Sequence, residues 1–253
     1  MTLFKDKMKL NRPRSIAILL LLPILLNCTL QETKKQHERL DSGKALVDHL
    51  DGLFASLQNK KTTDSDFQES VVTINENIRQ TIERNIKSPQ LLKEIQTYFP
   101  TKKHGFSFIF SDDEKFGVFS WATRKKEFPI KNIAFYVRAD RFAPSSLYGD
   151  PSIYDQLDVI HDGSGVPTYI LGGLRNTPTI AHQYQLSAYV IRKDGIEESY
   201  IFPNGESSIA IRCNEQNLEA CLAIENGKSL PKTMYAAIAQ QSLTSEDGEY
   251  IFE

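Results

Sequence analysis

Nothing in this 253-residue chain is apolar for long enough to read as a membrane-crossing helix. The longest uncharged apolar run, Ile16 to Leu26 (IAILLLLPILL), has eleven residues, and a spanning helix takes about 20. Cysteine is also scarce: three residues, at 28, 213 and 221, are too few for a small disulfide-stapled scaffold. The five histidines, at 37, 49, 104, 161 and 182, show no His-x-x-x-His spacing, so no metal site is indicated. A cationic excess is missing as well, the net charge being −2. That surface disfavours polyanions and excludes nucleic acid as an expected partner. No glycine-rich phosphate loop stands in the chain. ILGGLRNTP (170–178) has a glycine pair but lacks the spacing that wraps a dinucleotide. It reads as a turn after a strand, and no cofactor is expected.

What is present begins at the N-terminus. Lys5, Lys7, Lys9, Arg12 and Arg14 precede the apolar run against a single acid, Asp6. A basic start followed by about 7–15 apolar residues is the pattern of a secretory signal peptide. Small residues do not close it; Leu25-Leu26-Asn27-Cys28 does. This segment resembles the lipobox of bacterial lipoproteins, in its relaxed spirochaete form, departing from the strict pattern at Asn27. The resemblance covers about the first thirty residues. It implies that residues 1–27 are removed, that Cys28 carries the lipid (palmitate among its acyl chains), and that the protein is exported and anchored to a bacterial membrane, outer rather than inner. Each buried acyl methylene contributes about 0.8 kcal/mol, so several chains on one cysteine anchor durably. Without residues 1–27, 25 basic residues face 31 acidic ones, a net of −6, which gives no second, electrostatic signal for anionic lipid and leaves the anchoring to the lipid alone.

Cys213 and Cys221 enclose seven residues, NEQNLEA. In an oxidising compartment they could form a disulfide, which would stabilise by roughly 2.5 kcal/mol in the chain-entropy model. The alternative is two free buried thiols, since Ile209, Ile211 and Cys213 share one face of a strand.

Residues 28–39 read as a polar tether. From 40 to 100 the pattern is helical. Leu46, Val47, Leu50, Leu53, Phe54 and Leu57 form one apolar face, and Val71, Ile74, Ile78, Ile82 and Ile86 another. Asp64 or Ser65 is the expected cap of the second helix. A third short helix, Gln90 to Phe99, ends at Pro100. From 101 to 253 the period drops to two. FSFIF (106–110) and GVFSWAT (117–123) predict a hairpin across SDDEKF. Strands are expected at 133–138, 156–161, 168–173, 184–192, 198–202, 208–213, 221–225, 233–239 and 249–253. Asp194-Gly195, Asn204-Gly205 and three similar dipeptides punctuate them. The expected fold class is α+β: N-terminal helices packed on a C-terminal antiparallel β-sheet or sandwich, in one globular unit. SDDEKFGVFSW also resembles, weakly, segments of uncharacterised exported bacterial proteins and single propeller strands, but no second copy supports a repeat.

Local clusters read as structure. HDGSGVP (161–167) gathers His161, Asp162 and Ser164 in turn chemistry without the Gly-x-Ser-x-Gly elbow. SDDEK (111–115) lacks the spaced ligands of a calcium loop. The strand aromatics Phe119, Trp121, Phe135, Tyr136, Tyr169, Tyr184 and Tyr189 read mostly as core, with an exposed row as the alternative glycan- or peptide-binding feature. The resulting expectation is a non-enzymatic, lipid-anchored protein with a protein or glycan partner. Its alternatives are an exported hydrolase using His161 or His182 with a distant acid, and a small-ligand carrier.

Overall fold

The computed structural model describes residues 40–139, 141–147, 149, 151–161, 165–177, 180–212, 243–246 and 249–252. Cys28, Cys213, Cys221, Asp162, Ser164 and the expected strands at 221–225 and 233–239 lie outside them.

Three helices come first. Ser42 starts α1 (Gly43–Asn59), its hydroxyl accepting from Ala45 N at 3.2 Å, which satisfies one orphan amide of the first turn. Its apolar face is buried at Leu46, Val47, Leu50, Phe54 and Leu57, as the spacing predicts. The next helix, α2 (Phe67–Asn85), differs at its start. Neither Asp64 nor Ser65 caps it: Asp66 holds the cap position but makes no side-chain cap bond. Its carboxylate instead takes Lys60 Nζ at 2.9 Å and Ser70 Oγ at 2.7 Å, while Asp64 closes the preceding turn on Lys61 N at 2.9 Å. Ser88 and Pro89 open α3 (Pro89–Tyr98), Pro89 standing in the first turn where its missing N–H costs nothing.

Strands β1 (Ser107–Phe110), β2 (Phe116–Ala122), β3 (Ile130–Arg138) and β4 (Arg141–Ser145) form an antiparallel four-stranded sheet in chain order. The expected hairpin is β1–β2, with Phe108 opposite Phe119. β4 was not legible in the sequence because it contains Pro144. As an edge strand it tolerates a residue without an N–H.

The second sheet holds β5 (Ile153–His161), β6 (Pro167–Thr177), β7 (Ile180–Arg192), β8 (Gly195–Glu198), β9 (Ser208–Arg212), β10 (Leu243–Glu246) and β11 (Glu249–Phe252), ordered β10-β11-β9-β7-β6-β5. β8 and β9 share one edge of β7, pairing with residues 189–192 and 183–187 respectively. The chain must leave the sheet to pass from one to the other, so the strand expected at 198–202 is absent. Glu198 ends β8, and Phe202 makes a single bridge to Glu206 around Asn204 and Gly205, both at positive φ. The antiparallel expectation also fails once. β11 runs parallel to β9, Tyr250 opposite Ile211, which the long connection between Arg212 and Leu243 permits.

The layering explains an unbroken buried run in β2, Phe116 to Trp121. Phe119, Trp121, Phe106, Phe108 and Phe135 pack with Leu50, Phe54, Ile78 and Ile82 of the helices. Phe116, Val118, Ala134 and Tyr136 pack with Tyr154, Tyr169, Leu171 and Tyr189 of the second sheet. The first sheet is therefore covered on both faces, a mixed α+β arrangement with helices ahead of strands.

Gly172 and Gly173 lie inside β6 rather than in a turn. A side chain at 172 would meet the Tyr184 hydroxyl at 2.5 Å, and one at 173 the Ile153 carbonyl oxygen at 2.4 Å. The pair lets two strands and a tyrosine approach closely where β5 bulges between Tyr154 and Gln156.

Candidate functional site

The polar groups best suited to chemistry hold the fold together. His104 and Asp51, 53 positions apart, meet with Nδ1 at 2.9 Å and 3.1 Å from the two carboxylate oxygens. Nε2 lies 2.8 Å from the Phe99 carbonyl oxygen. Both ring nitrogens are thereby engaged, one by a carboxylate and one by a backbone carbonyl. Lys102 bridges Asp48 at 2.8 Å and Asp51 at 3.0 Å. Hydrogen bonds from Lys102 first, then Lys44, hold the Asp48 carboxyl well below the usual carboxylate range. A hydrolytic histidine turns one nitrogen to its nucleophile; here that nitrogen serves a backbone carbonyl. The arrangement clips α1 to the turn after α3. His161, named for the hydrolase alternative, is exposed at the end of β5, and His182 lies in β7.

SDDEK is a turn, as expected, but it is not merely solvated. Ser111 Oγ donates to Asp113 at 2.6 Å and accepts from Phe116 N at 3.0 Å. The other Asp113 oxygen accepts from Tyr169 OH at 2.8 Å, tying the two sheets together. Burial, reinforced by Asp113, pushes the Tyr169 phenol up, so it stays a neutral donor. At the β5 bulge, Asp155 accepts from the buried Tyr184 hydroxyl at 2.8 Å. Partial loss of hydration around the carboxylate raises its pKa above the usual 3.8 and the Tyr184 bond offsets part of the rise, while the exposure of the residue screens the effect on stability. The folded chain then binds this proton more tightly than the unfolded chain. The group's contribution to stability is full below about pH 3.9 and declines as pH rises through the folded pKa. Asp155→Asn should remove that decline: its urea midpoint relative to wild type should rise between pH 4 and pH 7. A flat difference would contradict the assignment.

All seven strand aromatics named above are buried, so they form no exposed row. The exposed large apolar side chains among the described residues are Val72 at 50%, Phe128 at 68% and Tyr200 at 66%. Phe128 sits in the β2–β3 loop, TRKKEFP (123–129). No protein-family model, curated protein or solved structure matches this chain.

The loop geometry is rigid. Thr123 N donates to Pro129 O at 2.8 Å, Thr123 Oγ1 donates to Phe128 O, and Lys125 N donates to Thr123 Oγ1 at 3.0 Å. Asn75 of α2 donates to Thr123 O at 2.9 Å. Arg124, at φ 61°, donates through Nη1 to the carbonyls of Leu57, Gln58 and Lys60 at 2.6, 3.0 and 2.7 Å. These include orphan acceptors at the end of α1, and the guanidinium also lies 5.2 Å from the Phe67 ring centre. The loop is thus bound to both helices while its tip, Lys126 to Pro129, stands exposed. The basic tripeptide Arg-Lys-Lys ahead of a phenylalanine was its one sequence signal, and periodicity could not show that Phe128 stays outside.

A shallow groove of about 200 Å³ runs along Gln96, Phe99, Pro100, Phe108, Ile109, Phe110 and Leu157. It is smaller than the 300–1,000 Å³ of common ligand pockets, which weakens the case for it as a carrier's site.

Proposed function

We propose that this chain is an exported lipoprotein, held at a bacterial membrane through acyl chains on Cys28, and that its folded body acts by binding. The leader and its Cys28 exit support the anchor. We read the fold as helices laid on a mostly antiparallel sandwich, with the 123–129 loop held by bonds to α1, α2 and the segment after α1. The observation that carries the binding reading is that loop, pinned by hydrogen bonds at Thr123, Arg124, Lys125 and the Phe128 and Pro129 carbonyls, presenting Phe128 to solvent at 68%. An exposed aromatic on a fixed scaffold loses little entropy on contact, which suits it to anchor a partner. The outer membrane is the proposed address.

The anchor is tested by labelling. Cys28→Ala should abolish incorporation of labelled palmitate and move the protein from the membrane to the soluble fraction. Mass spectrometry of the native N-terminus should find an acylated Cys28. Persistent labelling of the variant would overturn the anchor.

A further inference from the structure

We infer that the 123–129 loop docks on an anionic phospholipid surface, the partner being the bilayer itself. This rests on the anchored-binding reading above.

The exposed Phe128 follows Lys125 and Lys126 within the same loop, with Glu127 the loop's sole acid. Among the described residues neither lysine has an ion-pair partner. The acids of the neighbouring α1–α2 turn are already engaged, Asp64 with Lys61 N and Asp66 with Lys60 and Ser70. The loop therefore keeps free positive charge beside an apolar tip, on a body that is acidic as a whole. An exposed phenylalanine flanked by lysines matches the headgroup boundary, where the ring enters the acyl edge and the ammonium groups meet phosphates. Each such lysine contributes on the order of 1 kcal/mol near an anionic surface. Val72 adds exposed apolar surface on α2, three residues before the Asn75 that holds the loop.

Reach permits it. The folded body begins at Leu40, before the start of α1, whereas Arg124 seats the loop at the end of α1. Seventeen helical residues span about 25 Å at 1.5 Å each. The twelve residues from Cys28 to Arg39 can extend to about 40 Å. A body lying along the membrane brings both ends to it.

The chain's single tryptophan, Trp121, is 1% exposed, so a second indole is read against a fixed background. The full lipidated chain carrying Phe128→Trp is reconstituted in phosphatidylcholine vesicles with and without 30% phosphatidylglycerol, containing brominated lipid. In the anionic vesicles the added emission should be blue-shifted and lose at least half its intensity to bromine. Lys125→Glu with Lys126→Glu in the same chain should return it to the solvent-exposed wavelength. Solvent-like, unquenched emission in both vesicles would overturn the inference and turn the search to an acidic protein partner. So would quenching indifferent to the charge reversals. Sedimentation separates the two readings: a chain that leaves the vesicles indicts the anchor, and one that sediments unquenched indicts the loop.

Discussion

Gly173→Ala should destabilise the protein by about 3 kcal/mol, at the upper end of ordinary overpacking costs. That corresponds to about 6–12 °C in Tm for a chain of this size. The added methyl would stand 2.4 Å from the Ile153 carbonyl oxygen and 2.8 Å from Tyr154 Cα. Both are backbone atoms, so β5 and β6 must part to admit it. Gly172→Ala offers the contrast. Its methyl meets the Tyr184 hydroxyl at 2.5 Å and the ring at 2.9 Å, side-chain atoms whose hydroxyl is held by Asp155. Tyr184→Phe should recover part of the Gly172→Ala loss and none of the Gly173→Ala loss. Thermal unfolding of wild type, the three single variants and the two double variants decides the matter, Tyr184→Phe alone giving the cost of losing its bond to Asp155. Equal costs at 172 and 173, or rescue of both, would show that backbone approach is not what the glycine at 173 serves.

Asn75→Leu should cost about 3 kcal/mol although leucine suits a helix better. Asn75 Oδ1 accepts from Trp121 Nε1 at 2.8 Å, and Nδ2 donates to Thr123 O at 2.9 Å and to Val71 O at 2.7 Å. The residue is 8% exposed, and leucine would leave the buried indole N–H and the Thr123 carbonyl unpaired. Each orphan costs about 1–3 kcal/mol. Denaturant titration followed by Trp121 emission reads the loss directly, since no other tryptophan contributes. Trp121→Phe placed on Asn75→Leu, followed by far-UV circular dichroism because that chain has no tryptophan, should cost less than the sum of the two single changes, since the orphan donor leaves with the indole. A variant as stable as wild type would mean that the bond set carries no net stability.

Much of the helical half was legible. Leu46, Leu50, Phe54, Val71, Ile78 and Ile82 recur at steps of three and four, and each is buried, because a helix can offer only one stripe to a core. The β1–β2 hairpin was legible for the parallel reason, a period of two around a polar turn. Where two layers compete for the same strand, periodicity loses its meaning. β2 is apolar on successive positions because helices cover Phe119 and Trp121 while the second sheet covers Phe116 and Val118. A local pattern could not separate those faces, nor foretell that β8 and β9 share one edge of β7.

The candidate loop shows the same limit. Its residues are plain in the sequence, yet Arg124 is fixed by carbonyls 64 to 67 positions away and Thr123 by an asparagine 48 positions away. What the sequence determined alone was that helices precede strands, that a basic and then apolar run of residues stands before Cys28, and that acids outnumber bases after it, since these follow from neighbouring residues and simple counting. Which aromatic stays in water, which histidine loses both nitrogens to acceptors, and which glycine must admit a neighbouring strand were decided by tertiary structure. Each depends on atoms that meet only after distant segments have folded against one another.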